Sequence, residues 1–162
     1  MKKLNPLTRF LDRIQLAASK RLNKPITDMH AAIYNLTGGA LGGRLRETKV
    51  LLLTTTGRKT GNQHTSPLNY LPYKGSYAVA ASNSGRPNHP AWYLNLLANP
   101  EATVQLGRAT KEVRARETTE EERSRLWTEL VSKARNYGEY EKMTTRKIPM
   151  MILEQVEQPE RK

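Results

Sequence analysis

Leu51-Leu52-Leu53-Thr54-Thr55-Thr56-Gly57-Arg58-Lys59-Thr60-Gly61 carries an apolar and β-branched run into a turn that holds two glycines and two cations. A short run of this kind, bounded by glycine, reads as a buried strand. The turn after it can bring backbone N–H groups and positive charge up to an anion. Glycine permits close backbone approach, Arg58 offers a planar fork for phosphate or carboxylate, and Lys59 adds a mobile point charge. The plainer reading of the same turn is a hairpin tip with solvated basic residues.

Further strands follow on the C-terminal side. After the strand at 50–56, the patterning predicts strands at 64–73 and 77–82, each bounded by Gly, Pro or Asn, which together form an antiparallel meander. Pro90 suits the first turn of a short helix that ends at Asn99-Pro100. Strands at 102–106 and 111–117 turn around Gly107. Thr119-Glu120-Glu121-Glu122 is a capping box, and it opens a helix with Leu126, Trp127, Leu130, Val131 and Ala134 on one stripe. A last strand is predicted at 148–153. The pattern as a whole is mainly β with peripheral helices, a small antiparallel barrel.

The 162 residues suit one domain with a sizeable core. Cysteine is absent, which excludes disulfides, thiolate metal sites and cysteine nucleophiles. His30, His64 and His89 are far apart in the chain, so no structural metal is expected. Net charge is +12 and unevenly spread. Residues 1–50 hold ten cations and three anions, 51–116 hold eight and two, and 117–162 hold nine and ten. An anionic partner is therefore expected to meet the first two thirds of the chain.

Leu4, Leu7, Leu11, Ile14, Ala18 and Leu22 recur at helical spacing, with Lys2, Lys3, Arg9, Arg13, Lys20 and Arg21 mostly on the other faces. This predicts a basic amphipathic helix that packs on the domain or rests on an anionic bilayer through residues 1–24. A second helix is expected at about 28–36, and four glycines within 38–43 preclude a helix there. The organisation expected is a helical extension at 1–45, a barrel at 46–155 and a flexible tail at 156–162. No run is long and apolar enough for a membrane span, and charges interrupt any signal-peptide pattern. The expected location is cytoplasmic, with possible peripheral contact at the inner membrane face.

Most familiar catalytic motifs fail. Gly57 and Gly61 have three residues between them where four are required, and Asn62 follows in place of lysine, so this is no G-x-x-x-x-G-K phosphate loop. A serine triad would have to draw on Asp12 or Asp28, the only aspartates. Residues 51–116 contain just Glu101 and Glu112, too few for paired-carboxylate chemistry in that region. Hydride transfer with a bound redox cofactor needs little acid/base help and fits better.

Four blocks carry a family resemblance: the Thr54–Gly61 run, Pro67-Leu68-x-Tyr70, Ala80-Ala81-Ser82, and the segment from His89-Pro90-Ala91-Trp92 through Asn95 to Asn99-Pro100. Together they resemble the deazaflavin-dependent nitroreductases, small quinone reductases that use coenzyme F420. The resemblance implies a split β-barrel related to flavin reductases, with the deazaflavin in a groove along it. It further implies that Arg58 and Lys59, with Thr56, Gly57, Thr60 and His64, hold the cofactor's phosphate and glutamate tail, Thr56 and Gly57 as backbone donors. Pro67, Ala80, Ala81, Ser82, Trp92 and Asn95 match positions around the deazaflavin. Tyr137, Tyr140 and Ser82 match groups that orient a quinone-like, nitroaromatic or activated-alkene acceptor. For Trp92 and the tyrosines, plain core packing is the competing reading, and for Asn95 it is a helix-surface amide.

Four positions depart from the family pattern. His64 stands where arginine is common, Ser84 replaces a loop glycine, and Ala134 and Met143 stand where nitroimidazole-activating members have aromatic residues. Bulky nitroimidazoles are therefore not expected as substrates. Two alternatives remain open: the same fold binding FMN or another flavin, haem or tetrapyrrole, and a basic nucleic-acid-binding barrel. The second is disfavoured because Phe10 is the only phenylalanine and stacking wants exposed aromatics among the cations.

Overall fold

The computed structural model describes residues 44–45 and 48–156. The expected amphipathic helix with its membrane contact, the helix at 28–36, the glycine segment at 38–43 and all but the first residue of the tail lie outside these. In chain order the elements are β1 (Arg44–Leu45), β2 (Thr48–Thr56), β3 (Gln63–Tyr73), β4 (Ser76–Ala80) and a 3-10 turn (Asn83–Gly85). Then come α1 (Ala91–Ala98), β5 (Glu101–Leu106), β6 (Ala109–Glu117), α2 (Glu120–Lys133), α3 (Asn136–Lys142) and β7 (Met150–Gln155).

All strand pairs are antiparallel, and the sheet closes on itself. β2 pairs with β3, β3 with β4, β4 with β7, β7 with β6, β6 with β5, and β5 returns to β2. A six-stranded barrel results, with β1 extending it beside the start of β2. Closure removes free sheet edges over the paired stretches. The expected mainly β split barrel with peripheral helices is what the chain forms.

Alternation sets two hydrophobic layers. Leu51, Leu53, Tyr77, Val79, Ala81, Met151 and Leu153 belong to one buried cluster together with Trp92, Tyr93 and Leu96 of α1. The alternate residues Leu71, Ala78, Ala80, Met150 and Ile152 belong to a second cluster that α2 and α3 cover with Leu126, Trp127, Leu130 and Tyr137. Both faces of β4 and β7 are thus buried, which is why these strands read as nearly continuous apolar runs.

Two predicted boundaries shift for local reasons. β4 ends at Ala80 rather than at 82, because its ladder with β7 stops at Ala80 opposite Met150 and Ser82 takes helical angles that open the 3-10 turn. β7 begins at Met150 rather than at 148. Pro149 has no N–H to donate, and the Ile148 carbonyl accepts from Arg123 Nε at 2.8 Å.

The capping box at the start of α2 forms as predicted, with Thr119 Oγ1 accepting from the Glu122 amide and Glu122 accepting from the Thr119 amide. The Glu122 carboxylate also takes the Arg116 guanidinium at 2.8 and 2.9 Å and the Tyr73 hydroxyl at 3.0 Å. These contacts tie α2 to β6 and β3. The hydrogen bonds from Arg116, the Thr119 amide and Tyr73 lower the Glu122 carboxyl from 4.5 to about 2.

Because the folded-state value is depressed, the stabilisation is full above about pH 4.5 and is lost as pH falls towards about 2. Glu122→Gln is expected to lower the melting temperature at pH 7, and the gap between variant and wild type to close across that acidic range. Thermal melts of both proteins at pH 7, 5, 4 and 3 check this.

Candidate active site

The basic turn is the tip of the β2–β3 hairpin. The Gly57 amide donates to the Asn62 carbonyl at 2.7 Å, and the Gly57 carbonyl accepts from Thr60 and Gly61 at 3.2 and 2.8 Å. Gly57's N–H therefore closes the turn and is not offered to a ligand, unlike the donor role the resemblance implies. A side chain at Gly57 would meet the His64 ring at 2.9 Å and the Asn62 carbonyl at 3.1 Å, so glycine is required for close packing here. Thr56 Oγ1 accepts from Gln63 Nε2 at 3.1 Å, and Thr60 Oγ1 accepts from the Asn62 amide at 3.3 Å.

Arg58, Lys59 and Thr60 are exposed on this turn. Among the described residues no carboxylate pairs with Arg58 or Lys59, whereas Arg114, Arg116, Arg123, Lys133, Lys142 and Lys147 all have acidic partners. Asn95 holds the turn in place. Its Oδ1 accepts from the Arg58 amide and from Arg58 Nη1, each at 3.2 Å, while its Nδ2 donates to Thr55 Oγ1 at 3.2 Å. Asn95 is buried, so it is no surface amide; it links α1 to the hairpin.

A cavity of about 380 Å³ opens along the same hairpin. Pro67, Asn69 and Val50 line it from β3 and β2, and Ala80 and Ser82 from β4 and just beyond. Trp92 of α1, Asn83 and Ser84 of the 3-10 turn, and Tyr137 and Tyr140 of α3 complete most of the wall. Among the described residues no charged side chain lines it. The structure thus brings together Pro67, Ala80, Ser82, Trp92, Tyr137 and Tyr140 out of six separate sequence positions. Ala81 points the other way into the barrel cluster, as alternation requires. Trp92 belongs to that cluster as well, so it is both core and cavity wall.

Tyr137 and Tyr140 are one helical turn apart, with ring centroids 5.6 Å apart at 72°. Tyr137 is buried, also packs edge-on to Trp127, and its hydroxyl oxygen accepts from Asn69 Nδ2 at 3.3 Å. Burial pushes its phenol above the ordinary value, the Asn69 bond opposes this, and Tyr140 adds to it. The phenol is therefore protonated at neutral pH and able to donate.

Two features escaped sequence reading. Asn69 lies two residues beyond Pro67 on the same strand face, a period-two relation that would have flagged it. Arg146 gave no local signal. Its guanidinium donates to the carbonyls of Ala81, Ser82 and Arg86 at 3.1, 2.7 and 3.1 Å and meets His89 Nδ1 at 3.2 Å. It thereby fixes the strand end and the loop that frame the cavity. Burial, then the Arg146 charge, holds the His89 imidazole below its ordinary value, with Glu117 opposing, which keeps it neutral at pH 7.

The loop also explains two glycine-related positions. Ser84 has φ 53° and ψ 38°, a left-handed conformation that glycine adopts without strain. Gly85 has φ 73°, and a side chain there would meet Met143 Cβ at 2.9 Å and the Tyr140 carbonyl at 3.0 Å. Met143 is otherwise 66% exposed and Ala134 is buried between helices; neither lines the cavity.

A wider depression of about 760 Å³ follows the outer face of α2. It is open helix surface lined by Glu120, Glu121 and Glu129 among others, with neither ring walls nor an anion turn. Among the described residues no three His, Cys, Asp or Glu gather for a metal, and no helix is long and apolar enough to cross a membrane.

The neutral, ring-walled cavity and the unpaired basic turn lie on one hairpin. From Ser66 to Gln63 is three residues of strand, about 10 Å. That arrangement accommodates a flat ring joined by a short polyol to an anionic tail. Residues 27–155 match the family model for F420H(2)-dependent quinone reductase. The chain belongs to this family. It is similar to F420H(2)-dependent quinone reductase Rv1261c of Mycobacterium tuberculosis, 36% identical over 130 residues that cover 77% of this chain and 87% of that protein. The solved F420-H2 dependent reductase FDR-A superposes with a TM-score of 0.60 at 42% identity, covering 65% of this chain and 93% of its own. A chain whose structure is described as a domain-swapped dimer superposes at 0.62 with 34% identity, covering 89% and 98%. Membership makes this chain an F420-dependent oxidoreductase, and the cavity and turn fit that cofactor.

Arg58 and Lys59 are solvent-exposed, which brings each anion contact below the range of a desolvated charge-assisted bond, to about 1 kcal/mol. Arg58→Ala combined with Lys59→Ala is expected to weaken F420 binding roughly ten- to a hundredfold with little change in melting temperature. Fluorescence titration with F420 measures it; unaltered affinity would make the turn an ordinary hairpin tip.

Proposed function

We propose that this chain transfers hydride from reduced F420 to a quinone-like acceptor held in the cavity between β3, α1 and α3. The observation that carries the residue assignments is the pairing, on one hairpin, of a cation turn lacking acidic partners with an uncharged, aromatic-walled cavity. Reduced F420, when bound, supplies the hydride from C5 of its deazaflavin. Arg58 and Lys59 hold anionic oxygens of its tail, with His64 and Thr60 beside them. Pro67, Ala80 and Trp92 wall the ring region and exclude water. Asn95 acts indirectly, by fixing the turn.

On the acceptor side, Tyr137, Tyr140 and Ser82 present hydroxyl groups. A protonated phenol next to an acceptor oxygen stabilises the negative charge that grows there as hydride arrives, without needing an ionised acid or base. The absence of charged side chains from the described lining suits this chemistry, because positioned neutral hydroxyl and amide dipoles meet the developing charge without an ionised acid or base. Ala134 and Met143 stand outside the cavity lining and take no direct part in the choice of acceptor, for which quinones are the preferred class.

Titration of the purified protein with F420, FMN and FAD tests the cofactor. Tight F420 binding is expected, and micromolar binding of FMN with no response to F420 would overturn the proposal. Tyr137→Phe and Tyr140→Phe are expected to lower quinone turnover roughly tenfold or more while F420 affinity changes little, because the hydroxyl acts as charge develops. Steady-state kinetics beside F420 titration check this, and full turnover in both variants would make the tyrosines packing residues.

The N-terminal sequence supports a peripheral membrane contact that brings the site to lipid-soluble quinones. Its apolar stripe and surrounding cations suit reversible, salt-sensitive adsorption to anionic bilayers. Full chain is expected to cosediment with anionic vesicles at low salt and to be released at high salt, whereas a chain starting at Lys24 stays in solution. Equal, negligible binding by both would place the meeting with acceptor in the aqueous phase.

A further inference from the structure

We infer that Asn69 is a positioning residue that acts through Tyr137, holding the phenol so that its one proton is directed at the acceptor. The inference rests on the reading that Tyr137 serves the acceptor side of the cavity. A phenol has a single proton and can also accept. Asn69 Nδ2 donates to the Tyr137 oxygen at 3.3 Å, so the contact between them uses the amide's proton and leaves the phenol's own available. With the opposite polarity the phenol would donate to the protein and have nothing left for a ligand.

The surroundings indicate that the fold itself does not call for an amide here. Asn69 Oδ1 is the one buried side-chain nitrogen or oxygen among the described residues that lacks a hydrogen-bond partner. Buried polar atoms are nearly always paired, and an orphan destabilises the folded state. The next residues along the same strand face, Leu71 and Tyr73, pack into the cluster beneath α2 and α3, and Val50 lies opposite Asn69 in register. An apolar side chain would suit such a slot. A residue that works against stability at the wall of an active-site cavity is the pattern expected where function dictates the choice.

Asn69 also joins two elements distant in the chain. β3 carries Asn69 and α3 carries Tyr137, 68 positions apart in the chain. The hydrogen bond thus orients a helix-borne phenol relative to the strand that bears Pro67. Its effect on the phenol opposes that of burial, in the direction that eases proton donation.

The test combines stability, titration and turnover in a double-mutant cycle. Asn69→Leu is expected to keep or raise the melting temperature, to shift the Tyr137 phenol to higher pH in a carbon-13 ring titration of the cofactor-free protein, and to lower kcat with a small quinone roughly five- to tenfold. In a Tyr137→Phe background the same substitution is expected to have no further effect on kcat, since the hydroxyl through which it acts is gone. Asn69→Asp, nearly the same size, supplies an acceptor in place of the donor and is expected to lower kcat at neutral pH and to recover in part where the new carboxyl is protonated. Undiminished kcat in Asn69→Leu, or an equal loss in the two backgrounds, overturns the inference. Undiminished kcat in Tyr137→Phe alone instead overturns the acceptor role on which it rests, so the two failures are told apart.

Discussion

The structure depends first on β2 being paired along both edges. Its residues from 49 to 56 meet β3, and those from 52 to 55 also meet β5, so the sheet closes and the Leu51–Leu53 segment is sealed at the centre. A strand with both edges used cannot slip without breaking two ladders at once. The hairpin leaving β2 is therefore fixed in direction, and so are the turn at its tip and the cavity along its side. The basic turn and one wall of the cavity are both referred to that one strand.

Two side chains then turn a barrel into a site. Asn95 satisfies all of its close contacts within the protein, joining α1 to Thr55 and to both the backbone and the guanidinium of Arg58. Trp92 lies three residues earlier on the same helix, so a single short helix sets both the ring wall and the anion turn. Arg146 does the corresponding work on the other side, where three carbonyls from residues 81, 82 and 86 converge on one guanidinium. A guanidinium has five donors in a fixed fork, which suits it to gathering several chain segments. Both residues hold the turn and the cavity rim in place without adding charge to the described lining.

The charge distribution has a related logic. The acidic residues of the described chain concentrate after residue 116 and are largely engaged with nearby cations around α2, α3 and β7. Among the described residues the hairpin tip is left with two positive charges and no acidic partner. Arg58 and Lys59 are a small share of the net charge of +12, yet without counter-charges they make the tip a local positive field that would suit an anion.

What the sequence by itself determined was the set of local structures and their chemistry. Short apolar runs bounded by turn residues, and alternating stretches further on, marked the strands, Thr119 to Glu122 marked the start of a helix, and glycine-flanked Arg58 and Lys59 marked a basic turn, because each signal depends on neighbours within a few residues. Family-specific blocks added Pro67, Ser82, Trp92 and the two tyrosines. Tertiary structure alone decided which face of the Ala80–Ser82 segment meets the cavity, that Asn95 anchors the turn from α1, and that Asn69 and Arg146 engage Tyr137 and the carbonyls of residues 81, 82 and 86. These depend on partners tens of residues away, brought together only when β2 closes the barrel, and no local pattern encodes a contact across that distance.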